Sequence, residues 1–460
     1  MHDDQQSEEH VVTGTESPDG SDDPLLQGSA LVTLGFLVIA NISSLLDRSI
    51  MALLIEPIKA DLDINDVQFG LLHGLAFALL YSVMGVPMGL LVDRFKRTRI
   101  VAAAVALWSV ATALCGAAQN FASMFLARIG VGIGEAGLNP AAYSILSDCF
   151  PRRYLARAVG AFMVATYMGV GLSYVLGGLL LSAIDGAPYV DFPLLGEVRS
   201  WQAVFYLAAF PGLLIATGFL VLPEPQRRGK TSRALSREGY SVDGGGLSAF
   251  LRLNKQTLFF HFFGFVGAVA FANGLLLWTP TMLGEKFSMS MGQIGLEFGL
   301  LLVAFGGAGP YIGGWLADRL GSRGMACAPV KTALFFAVAA LALVFFLPVL
   351  DSKAAMYSVL GVLILVIGAQ TALAITALQL VTPSDLRGQV SAIFLLVINI
   401  AGIGFGPVLV PLLIALLGES ADSMVFSITV LWVLAFGVGA ISVFYGLHAY
   451  GESDRRMDFQ

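Results

Sequence analysis

The segment from Phe125 to Tyr143 reads FLARIGVGIGEAGLNPAAY and places an arginine and a glutamate in an otherwise apolar stretch. Arg128 and Glu135 lie seven residues apart, which is two turns of an α-helix, so their side chains leave one face about 10 Å apart. A charge at bilayer depth costs roughly 3 kcal/mol, and charged residues there nearly always face a protein interior or a watery cavity. We therefore predict a membrane helix that lines an internal pathway. The alternative is a buried ion pair that only holds helices together.

Composition assigns the chain to a broad class. Of its 460 residues, 57% are hydrophobic and 13% are charged, and the mean hydropathy is +0.79. This is far more apolar than a soluble protein of the same length, so we predict an all-α polytopic membrane protein. The three cysteines, at positions 115, 149 and 327, are odd in number and scattered. They predict no disulfide framework, no metal site and no cofactor.

The first segment of the chain differs from the rest. Residues 1–26 contain eight acidic residues and no Lys or Arg, so the formal charge of -6 leaves the remainder of the chain at +2. Because this segment has almost nothing apolar to bury, residues 1–28 are predicted to be a disordered cytoplasmic tail. The tail lacks the basic region of a cleavable signal peptide, so the first apolar run is expected to stay in the mature protein.

Apolar runs long enough to cross a bilayer, which requires about 20 residues, recur twelve times along the chain, and we number them spans 1 to 12. Their predicted ranges are 30–55, 68–92, 99–118, 121–149, 154–183, 201–222, 250–284, 292–319, 327–350, 354–381, 388–418 and 423–449. The predicted domains are an N-terminal six-helix bundle over 29–222, a cytoplasmic loop over 223–249, a C-terminal six-helix bundle over 250–450 and a cytoplasmic tail over 451–460.

The distribution of basic residues predicts the orientation. If both termini are cytoplasmic, the loops and the tail on that side hold 20 of the 26 Lys and Arg residues, whereas the opposite loops hold four. Cytoplasmic loops carry the excess of basic residues in membrane proteins. We therefore predict a multi-pass protein of the cell (inner) membrane with both termini in the cytoplasm.

An internal repeat predicts how the spans are arranged. The chain reads GLLVDRFKRTR from Gly89 to Arg99, after span 2, and GGWLADRLGSR from Gly313 to Arg323, after span 8. The Asp-Arg pair recurs 225 positions later, and a weaker pair of segments, ARAVGAF and RGQVSAIF, enters spans 5 and 11. Such repeats are typical of transporters built from two related halves, so we predict two pseudo-symmetric six-helix bundles.

These two loops resemble the signature loop of the major facilitator superfamily, Gly-x-x-x-Asp-Arg-x-Gly-Arg-Lys/Arg, although Lys96 replaces a glycine in the first copy. The first copy contains Gly89, Asp93, Arg94, Arg97 and Arg99, and the second contains Gly314, Asp318, Arg319, Gly321 and Arg323. The segment that contains Arg128 and Glu135 resembles the fourth-helix motif of the superfamily, and Leu222-Pro-Glu-Pro resembles the end of its sixth helix. The resemblance implies a secondary active transporter that works by alternating access.

A narrower resemblance concerns SSLLDRSIMALLIEPIKADLDINDVQFGLLHGLAFALLYSVMGVPMGLLVDR and RIGVGIGEAGLNPAAYSILSD. Both segments are similar to the spinster-like branch, whose animal members export sphingolipid or lysophospholipid species. The resemblance implies an amphipathic or lipid-like substrate of lysophospholipid or sphingoid type, and the acidic tail suggests a bacterial protein. The alternative is a proton-driven exporter of drugs or small organic anions.

Four ionisable residues form the predicted site for substrate binding and proton coupling. Asp47 and Arg48 lie about 17 residues into span 1, too deep to reach water without a cavity. They point about 100° apart around the helix, so they need not pair with each other. One arrangement sets Asp47 against Arg128 and leaves Arg48 and Glu135 nearer the cavity. Exchange between a protonated carboxylate and an ion pair would suit coupling to protons.

The resemblance also implies a cytoplasmic latch that holds the two halves together when the carrier is open outward. The residues predicted for it are Asp93, Arg94, Arg97, Asp148, Asp318 and Arg319. Asp148, at the end of span 4, is a candidate partner for the basic residues of the loop. The alternative is ordinary positive-inside topology, which explains the Lys and Arg residues but not the repeated Asp.

Other polar residues are secondary candidates. Spans 7 to 11 are mainly apolar, and the predicted cavity residues there are Asn273, Trp278, Thr371 and Asn399. A cavity with one charged and one apolar wall suits a substrate with an ionic head and a hydrocarbon tail. Glu297 is as compatible with a solvated helix end as with a site, and His73 and His261 are interpreted as satisfied interfacial histidines.

Two other functional classes fit the sequence less well. An enzyme would need a nucleophile, a base or a metal set, and the chain has no HExxH, no GxSxG and no Cys/His cluster. A receptor or scaffold that transports nothing would not require buried charges in both span 1 and span 4. The expected partners are a small amphipathic substrate, protons and the lipid bilayer. We predict no nucleic-acid partner, and a monomer.

Cysteine labelling tests the predicted topology. In a variant without the native cysteines, Ser232→Cys should be protected from an impermeant thiol reagent in intact cells, because the loop 223–249 is predicted to be cytoplasmic. Asp191→Cys should react, because the loop between spans 5 and 6 is predicted to lie outside. The reverse labelling pattern would overturn the predicted orientation.

Overall fold

Twelve helical spans confirm the predicted membrane architecture. The computed structural model describes residues 24–150, 152–184, 187–193, 195–227, 246–383, 386–417 and 423–458. Within these residues, twelve helices are long and apolar enough to cross a membrane, and they coincide with the twelve predicted spans. Most of the predicted tail 1–28 and of the loop 223–249 falls outside the described residues.

The N-terminal half contains spans 1 to 6. Its helices are Pro24–Ser49, Ile55–Leu62, Asp66–His73, Leu75–Arg94, Arg97–Gly116, Phe121–Glu135, Leu138–Cys149, Arg152–Ile184 and Ser200–Val221, and a 3-10 turn, Ile50–Leu53, continues the first of them. Strands β1 (Tyr189–Phe192) and β2 (Gly196–Arg199) form a short antiparallel hairpin in the loop between spans 5 and 6. Gly196, with φ of 74°, supplies the turn conformation that other residues rarely adopt.

The C-terminal half contains spans 7 to 12. Its helices are Gly246–Leu253, Lys255–Phe287, Met291–Gly306, Ala308–Gly321, Ala328–Val344, Lys353–Leu380, Arg387–Ile398, Phe405–Leu417 and Ser423–Asp458, with a 3-10 turn, Leu347–Val349, and a π-helical turn, Asn399–Gly404.

Helical structure extends past two of the predicted domain boundaries. The predicted loop 223–249 ends in the helix Gly246–Leu253, because its apolar residues recur at helical spacing and Phe250 is buried. The predicted tail 451–460 continues the last helix to Asp458. A salt bridge of 3.6 Å between Arg456 and Glu452, one helical turn apart, accompanies this extension.

The helices of three spans are interrupted, near the start of span 2 and near the middle of spans 4 and 8. The helix of span 2 breaks at Gly74, that of span 4 after Glu135 and that of span 8 at Gly307. In spans 4 and 8 a proline follows the break, at positions 140 and 310, and proline both lacks an N–H group and clashes with the carbonyl four residues earlier. Glu135 is therefore the last residue of a helical segment rather than a mid-helix residue.

Glycines bring the backbones of the two halves into contact along spans 5 and 8. A Cβ atom on Gly171 would lie 2.6 Å from the carbonyl oxygen of Gly299, and one on Gly178 would lie 2.6 Å from that of Gly292. These contacts lie in the half of the molecule nearer the β1–β2 hairpin, which we call the hairpin face. The opposite end, which carries the loop from Asp93 to Arg97, is the basic face.

Spans 2 and 11 form a second seam between the halves, also toward the hairpin face. A Cβ atom on Gly70 would lie 2.8 Å from the carbonyl oxygen of Pro407, and one on Gly74 would lie 2.5 Å from that of Gly404. Nearer the basic face, the helix Ala308–Gly321 of span 8 packs instead mainly against spans 9 and 10 of its own half. The closest backbone contacts between the halves therefore lie toward the hairpin face.

Gly299→Ala should weaken closure of the hairpin face, because its methyl group would meet the backbone of span 5. Overpacking of this kind costs about 1–3 kcal/mol, which corresponds to a roughly 5- to 150-fold change in a two-state equilibrium. Spin labels at Glu197→Cys and Asp351→Cys, exposed on opposite halves of the hairpin face, should report a longer distance. Gly307→Ala is the matched control, since a Cβ atom there meets nothing within 4 Å. Identical distance distributions in the two variants would contradict the prediction.

Candidate functional site

The predicted site residues of span 1 lie where its α-helix ends. Asp47 and Arg48 occupy the last turn of the helix Pro24–Ser49, after which the chain tightens into a 3-10 turn. The last carbonyl groups of a helix carry partial negative charge and favour a cation nearby. Glu135 is likewise the last residue of a helical segment. Charged residues of the predicted site therefore lie at the ends of helical segments in both span 1 and span 4.

Arg48 forms an ion pair with Glu135. The Nη2 atom of Arg48 is in direct contact with the Oε2 atom of Glu135, whose side chain is 1% exposed, whereas the Arg48 side chain is 21% exposed. The guanidinium carbon of Arg48 lies 4.0 Å from the centre of the Phe77 ring and 5.4 Å from that of Tyr81. Cation–π contacts of this kind stabilise an arginine that has lost much of its water.

Arg128 and Asp47 do not pair in the predicted way. Arg128 is fully buried and donates weak hydrogen bonds to two backbone carbonyl groups, those of Asp47 at 3.5 Å and Leu72 at 3.4 Å. The Asp47 carboxylate instead accepts a hydrogen bond of 3.1 Å from the Thr112 hydroxyl of span 3. The predicted Asp47–Arg128 contact is therefore made through the Asp47 backbone rather than its carboxylate, which turns toward span 3.

Several polar atoms in this cluster have no hydrogen-bond partner among the described residues. They are Asp47 Oδ1, Arg48 Nε, Arg128 Nη2, Glu135 Oε1 and His73 Nδ1. Buried polar atoms are nearly always paired, and an unpaired one calls for an explanation such as a water, an ion or a functional role. The interpretation of His73 as a satisfied interfacial histidine is therefore wrong for its buried Nδ1 atom.

Sequence reasoning missed three residues of this cluster. Phe77 and Tyr81 lie four residues apart on one face of span 2, and their rings stack with centres 5.0 Å apart. Thr112 is a polar residue in an apolar span. An aromatic pair at helical spacing and a lone threonine occur in many spans, so neither pattern could identify a partner of Arg48 or Asp47.

A second cluster surrounds Arg97 on the basic face. Arg97 is fully buried and forms ion pairs with Asp148 and Glu224, the latter with 2.9 Å between Nε and Oε1. It also donates to the carbonyl oxygen of Pro225 at 2.7 Å and to that of Ser144 at 2.9 Å. Asp148 and Ser144 belong to span 4, whereas Glu224 and Pro225 belong to the segment that follows span 6. The sequence identified Asp148 as a partner but not Glu224.

Glu224 connects this cluster to the segment that follows span 6. Its Oε2 atom accepts hydrogen bonds of 3.0 Å from both the backbone N–H and the hydroxyl of Thr98. Partial burial by itself raises the pKa of Glu224, but the hydrogen bonds from Thr98 and Arg97 outweigh it and hold the pKa below its usual value. Arg227 adds hydrogen bonds of 2.7 and 2.8 Å to the carbonyl oxygens of Val92 and Phe95. These hydrogen bonds attach the segment that follows span 6 to the N-terminal half.

The predicted latch between the halves remains a prediction. The contacts of Arg97 hold the first loop to the N-terminal half, Arg94 is exposed, and the side chain of Asp93 lies outside the description. In the second loop, Asp318 and Arg319 are exposed, and a serine occupies the position equivalent to that of Arg97. The two loops therefore repeat in sequence but not in their contacts.

The four secondary cavity candidates make separate contacts and do not form one site. Trp278 is buried and donates from Nε1 to the carbonyl oxygen of Pro407 at 2.7 Å, so it joins spans 7 and 11. Asn273 and Thr371 are half-buried and bond to carbonyl groups one turn earlier in their own helices. Asn399 begins the π-helical turn of span 11. Among the described residues, no hydrogen bond joins these four to one another.

Glu297 and His261 make contacts that indicate structural roles. Glu297 accepts hydrogen bonds of 2.8 Å from Lys353 and 2.9 Å from Gln293 near the hairpin face, which fits a solvated helix end. His261 is fully buried and contacts the hydroxyl of Tyr450 through Nδ1, while its Nε2 has no partner in the described part of the chain. Neither residue contacts the charged cluster of spans 1 and 4.

Comparisons with known proteins extend this description. The profile of the family described as Major Facilitator Superfamily matches residues 37–407. An MFS-type efflux pump of Mycolicibacterium smegmatis is 28% identical over 64% of this chain and 64% of its own length. Protein spinster of Drosophila melanogaster is 25% identical over 67% of this chain and 49% of its own length. The chain thus aligns with about half to two thirds of these relatives.

A solved structure supports the same fold. The crystal structure of a bacterial homolog of the human lysosomal transporter Spinster, in an inward-facing and unoccupied conformation, superposes with a TM-score of 0.71. The superposition covers 93% of this chain and 97% of that chain, at 21% sequence identity. Identity at this level establishes the architecture of twelve spans in two halves and does not by itself identify a substrate.

Arg97→Ala should lower stability strongly, because it leaves two carboxylates without their cation. Removing one partner of a buried ion pair typically costs about 3–5 kcal/mol. Arg94→Ala, in the same loop but exposed, is the matched control and should change stability by less than about 0.5 kcal/mol. Thermal unfolding of the purified protein in detergent measures both effects. Similar melting temperatures for the two variants would contradict the assigned role of Arg97.

Acid should remove part of this stability. The folded-state pKa of Glu224 lies below its ordinary value of 4.5, so its contribution is present at neutral pH and is lost as pH falls through the folded-state pKa. The difference in melting temperature between the parent and Glu224→Gln should be constant near neutral pH and shrink below about pH 4.5. A difference that grows on acidification would show that Glu224 is not held in its charged form.

Proposed function

Because the chain belongs to the Major Facilitator Superfamily, whose profile covers residues 37–407, we propose that it is a proton-coupled secondary active transporter of an amphipathic, lipid-like substrate with an anionic head group. Its substrate is of lysophospholipid or sphingoid type, and it works by alternating access. The basic face is the cytoplasmic one, and the protein lies in the inner membrane of a bacterium. The two halves, whose closest backbone contacts lie toward one face, support alternating access.

The observation that carries the proposal is the pair formed by a partly exposed arginine and a fully buried carboxylate. Arg48 is the more accessible of the two arginines, whereas Glu135 lies behind it and is almost without solvent contact. A guanidinium group binds phosphate and carboxylate groups through parallel hydrogen bonds. Arg48 is therefore the group that engages an anionic head group, and Glu135 controls whether it is free to do so.

The proposed coupling follows from competition for Arg48. When Glu135 is ionised, its carboxylate occupies the guanidinium group. When Glu135 takes up a proton, for which its unpartnered Oε1 atom is an open position, the ion pair weakens and Arg48 can bind the head group. Proton and substrate then favour each other, and by linkage each raises the affinity for the other equally.

Arg128 and Asp47 set the electrostatic field around the ion pair of Arg48 and Glu135. Arg128 is fully buried and holds backbone carbonyl groups, so it acts on the site through its charge and its position rather than by contact with substrate. Asp47 has one unpartnered carboxylate oxygen and is the second candidate for the proton. Two cations face two carboxylates, so uptake of a proton leaves the cluster with a net positive charge that an anionic substrate would neutralise.

A second candidate function is a proton-driven exporter of drugs or small organic anions. The specific observation in its favour is the similarity to an MFS-type efflux pump of Mycolicibacterium smegmatis. Both functions would use the charged cluster, but they differ in what the C-terminal half must hold. Uptake into proteoliposomes of a panel of lysophospholipids, sphingoid phosphates and drugs distinguishes them. Strong transport of drugs with no response to any amphiphile would favour the second function.

Glu135→Gln should flatten the pH dependence of transport, because glutamine resembles the protonated side chain and cannot release a proton. In the parent, substrate affinity should rise as pH falls, since protonation frees Arg48. Proteoliposome uptake at several pH values, with and without a proton gradient, measures both effects. Glu297→Gln is the matched control, because it removes a carboxylate of the membrane region that lies outside the cluster.

Further variants separate the roles within the cluster. Arg48→Ala and Arg128→Ala should each abolish transport, the first through loss of head-group binding and the second through loss of the charge balance around Asp47. Asp47→Asn should resemble either Glu135→Gln or Arg128→Ala. If Glu135→Gln and Asp47→Asn, alone and combined, keep the pH profile and the gradient requirement of the parent, the carboxylates are structural and proton coupling at this site is wrong.

A further inference from the structure

Three carboxylates and one ammonium group lie near one another on the hairpin face, where the two halves meet. Glu56 and Lys59 belong to the helix Ile55–Leu62, and Asp66 is the first residue of the next helix of the N-terminal half. Glu285 belongs to the C-terminal half and lies near the end of span 7. We call these four residues the hairpin-face cluster.

Lys59 already has two partners within the N-terminal half. Its Nζ atom lies 3.1 Å from the Oε1 atom of Glu56 and 2.5 Å from the Oδ1 atom of Asp66. One cation between two carboxylates leaves this part of the cluster with a net charge of -1. The N-terminal half therefore presents an excess of negative charge at this place.

Glu285 is the carboxylate that the C-terminal half contributes. The charges that act on it are those of Glu56 and Asp66, which repel it, and that of Lys59, which attracts it. Span 7 reaches this place because it packs against the turn Ile50–Leu53, which leads into the helix that carries Glu56 and Lys59. Among the described residues, Glu285 forms no ion pair. Charges of equal sign thus meet across the seam between the halves.

The neighbouring charged groups leave this imbalance uncorrected. Asp63, Asp191 and Glu197 are exposed, and their charges are not among those that act on Glu285. The remaining groups form ion pairs within one half, namely Asp61 with Arg199 at 2.7 Å, Lys286 with Asp351 at 3.7 Å and Glu297 with Lys353 at 2.8 Å. With three carboxylates and one ammonium group, the hairpin-face cluster has a net charge of -2 when all four groups are ionised.

Repulsion within the cluster depends on the conformation of the protein. Opening of the hairpin face would separate Glu285 from Glu56 and Asp66, so the repulsion is greatest while the halves meet there. The close glycine packing between spans 5 and 8 acts in the opposite direction, because its contacts exist only while this face is closed. The balance between the two effects is sensitive to salt, since interactions between exposed charges are screened beyond about 10 Å at 0.1 M ionic strength and about 3 Å at 1 M.

We propose that the hairpin-face cluster is a charge-sensitive gate, in which repulsion of Glu285 by Glu56 and Asp66 favours opening of the hairpin face. Protons or salt on that side of the membrane weaken the repulsion and favour closure. A proton shifts a conformational equilibrium only through its different affinity for the two states, and this cluster binds it more tightly when the face is closed. The gate acts on the conformation without contact to substrate, so the inference does not depend on the identity of the substrate.

Two substitutions with opposite expected effects test the gate. Glu285→Gln removes the repulsion and should favour closure of the hairpin face, whereas Lys59→Gln removes the attraction and should favour its opening. Asp63→Asn is the matched control, because it removes an exposed carboxylate of the same face and asparagine tolerates the left-handed backbone at this position. Thermal unfolding in detergent establishes that each variant is folded.

Spin labels at Leu195→Cys and Val349→Cys, in a variant without the native cysteines, measure the distance across the hairpin face. Both positions are exposed and uncharged. At low salt, Glu285→Gln and Lys59→Gln should each change the ratio of long to short distances about threefold, in opposite directions, because a pair of exposed charges changes an equilibrium by only a few-fold. At about 1 M salt, the differences from the parent should shrink to less than about 1.5-fold.

The pH dependence separates this gate from the proposed coupling site. In a Glu135→Gln background, the fraction of molecules with a closed hairpin face should still rise as pH falls from neutral toward about 4.5, where carboxylates take up protons. Adding Glu285→Gln to that background should reduce this rise about twofold, because one of the three repelling carboxylates no longer titrates.

Three results would overturn the gate. Unchanged distances in both Glu285→Gln and Lys59→Gln would show that these charges do not act on the conformation. An equal shift in Asp63→Asn would assign the effect to the overall surface charge, and a shift that persists at high salt would assign it to packing. None of these results bears on the proposed function, which the transport assays of Glu135→Gln and Asp47→Asn test separately.

Discussion

The ion pair between Arg48 and Glu135 is the interaction on which the rest of the structure depends, because neither charge is stable alone at that depth. Losing one partner of a buried pair typically costs about 3–5 kcal/mol, which is a large part of the stability of a typical folded protein. The local structure is arranged around this requirement. The α-helix of span 1 ends one residue after Arg48, and a helical segment of span 4 ends at Glu135. The aromatic rings of Phe77 and Tyr81 cover the guanidinium group without competing for its hydrogen bonds.

Close helix packing encloses this pair, and glycines make it possible. A Cβ atom on Gly132 would lie 2.5 Å from the carbonyl oxygen of Phe77, and one on Gly134 would lie 2.7 Å from the backbone nitrogen of Trp108. Spans 2 and 3 therefore approach span 4 more closely than side chains would allow. The same device operates between the halves at the hairpin face, where Gly171 meets Gly299. A residue larger than glycine at these positions would push the neighbouring backbone away. It would thereby displace the charged cluster or the seam between the halves.

The sequence predicted the spans, the repeat and the four ionisable residues, because hydropathy, charge and spacing are properties of short segments. It did not predict which charges pair. Asp47 and Arg48 differ by about 100° around the helix, so a small rotation of span 1 decides whether the aspartate or the arginine faces span 4. Glu224 was missed as a partner of Arg97 because 127 residues separate them, and only the packing of spans 3, 4 and 6 brings them together. The β1–β2 hairpin is too short to stand out from an ordinary loop.

The distribution of the charges constrains how a proton could drive movement. The ion pairs that the structure describes each join residues of a single half. Contact between the halves relies instead on glycine backbone packing and on a hydrogen bond from the Tyr174 hydroxyl to the carbonyl oxygen of Leu276. Protonation of Glu135 therefore breaks no ion pair that holds the halves together in this conformation. A ligand shifts a conformational equilibrium only through its different affinity for the two states. In the proposed mechanism the proton makes Arg48 available, and the bound substrate is what shifts the equilibrium between the conformations.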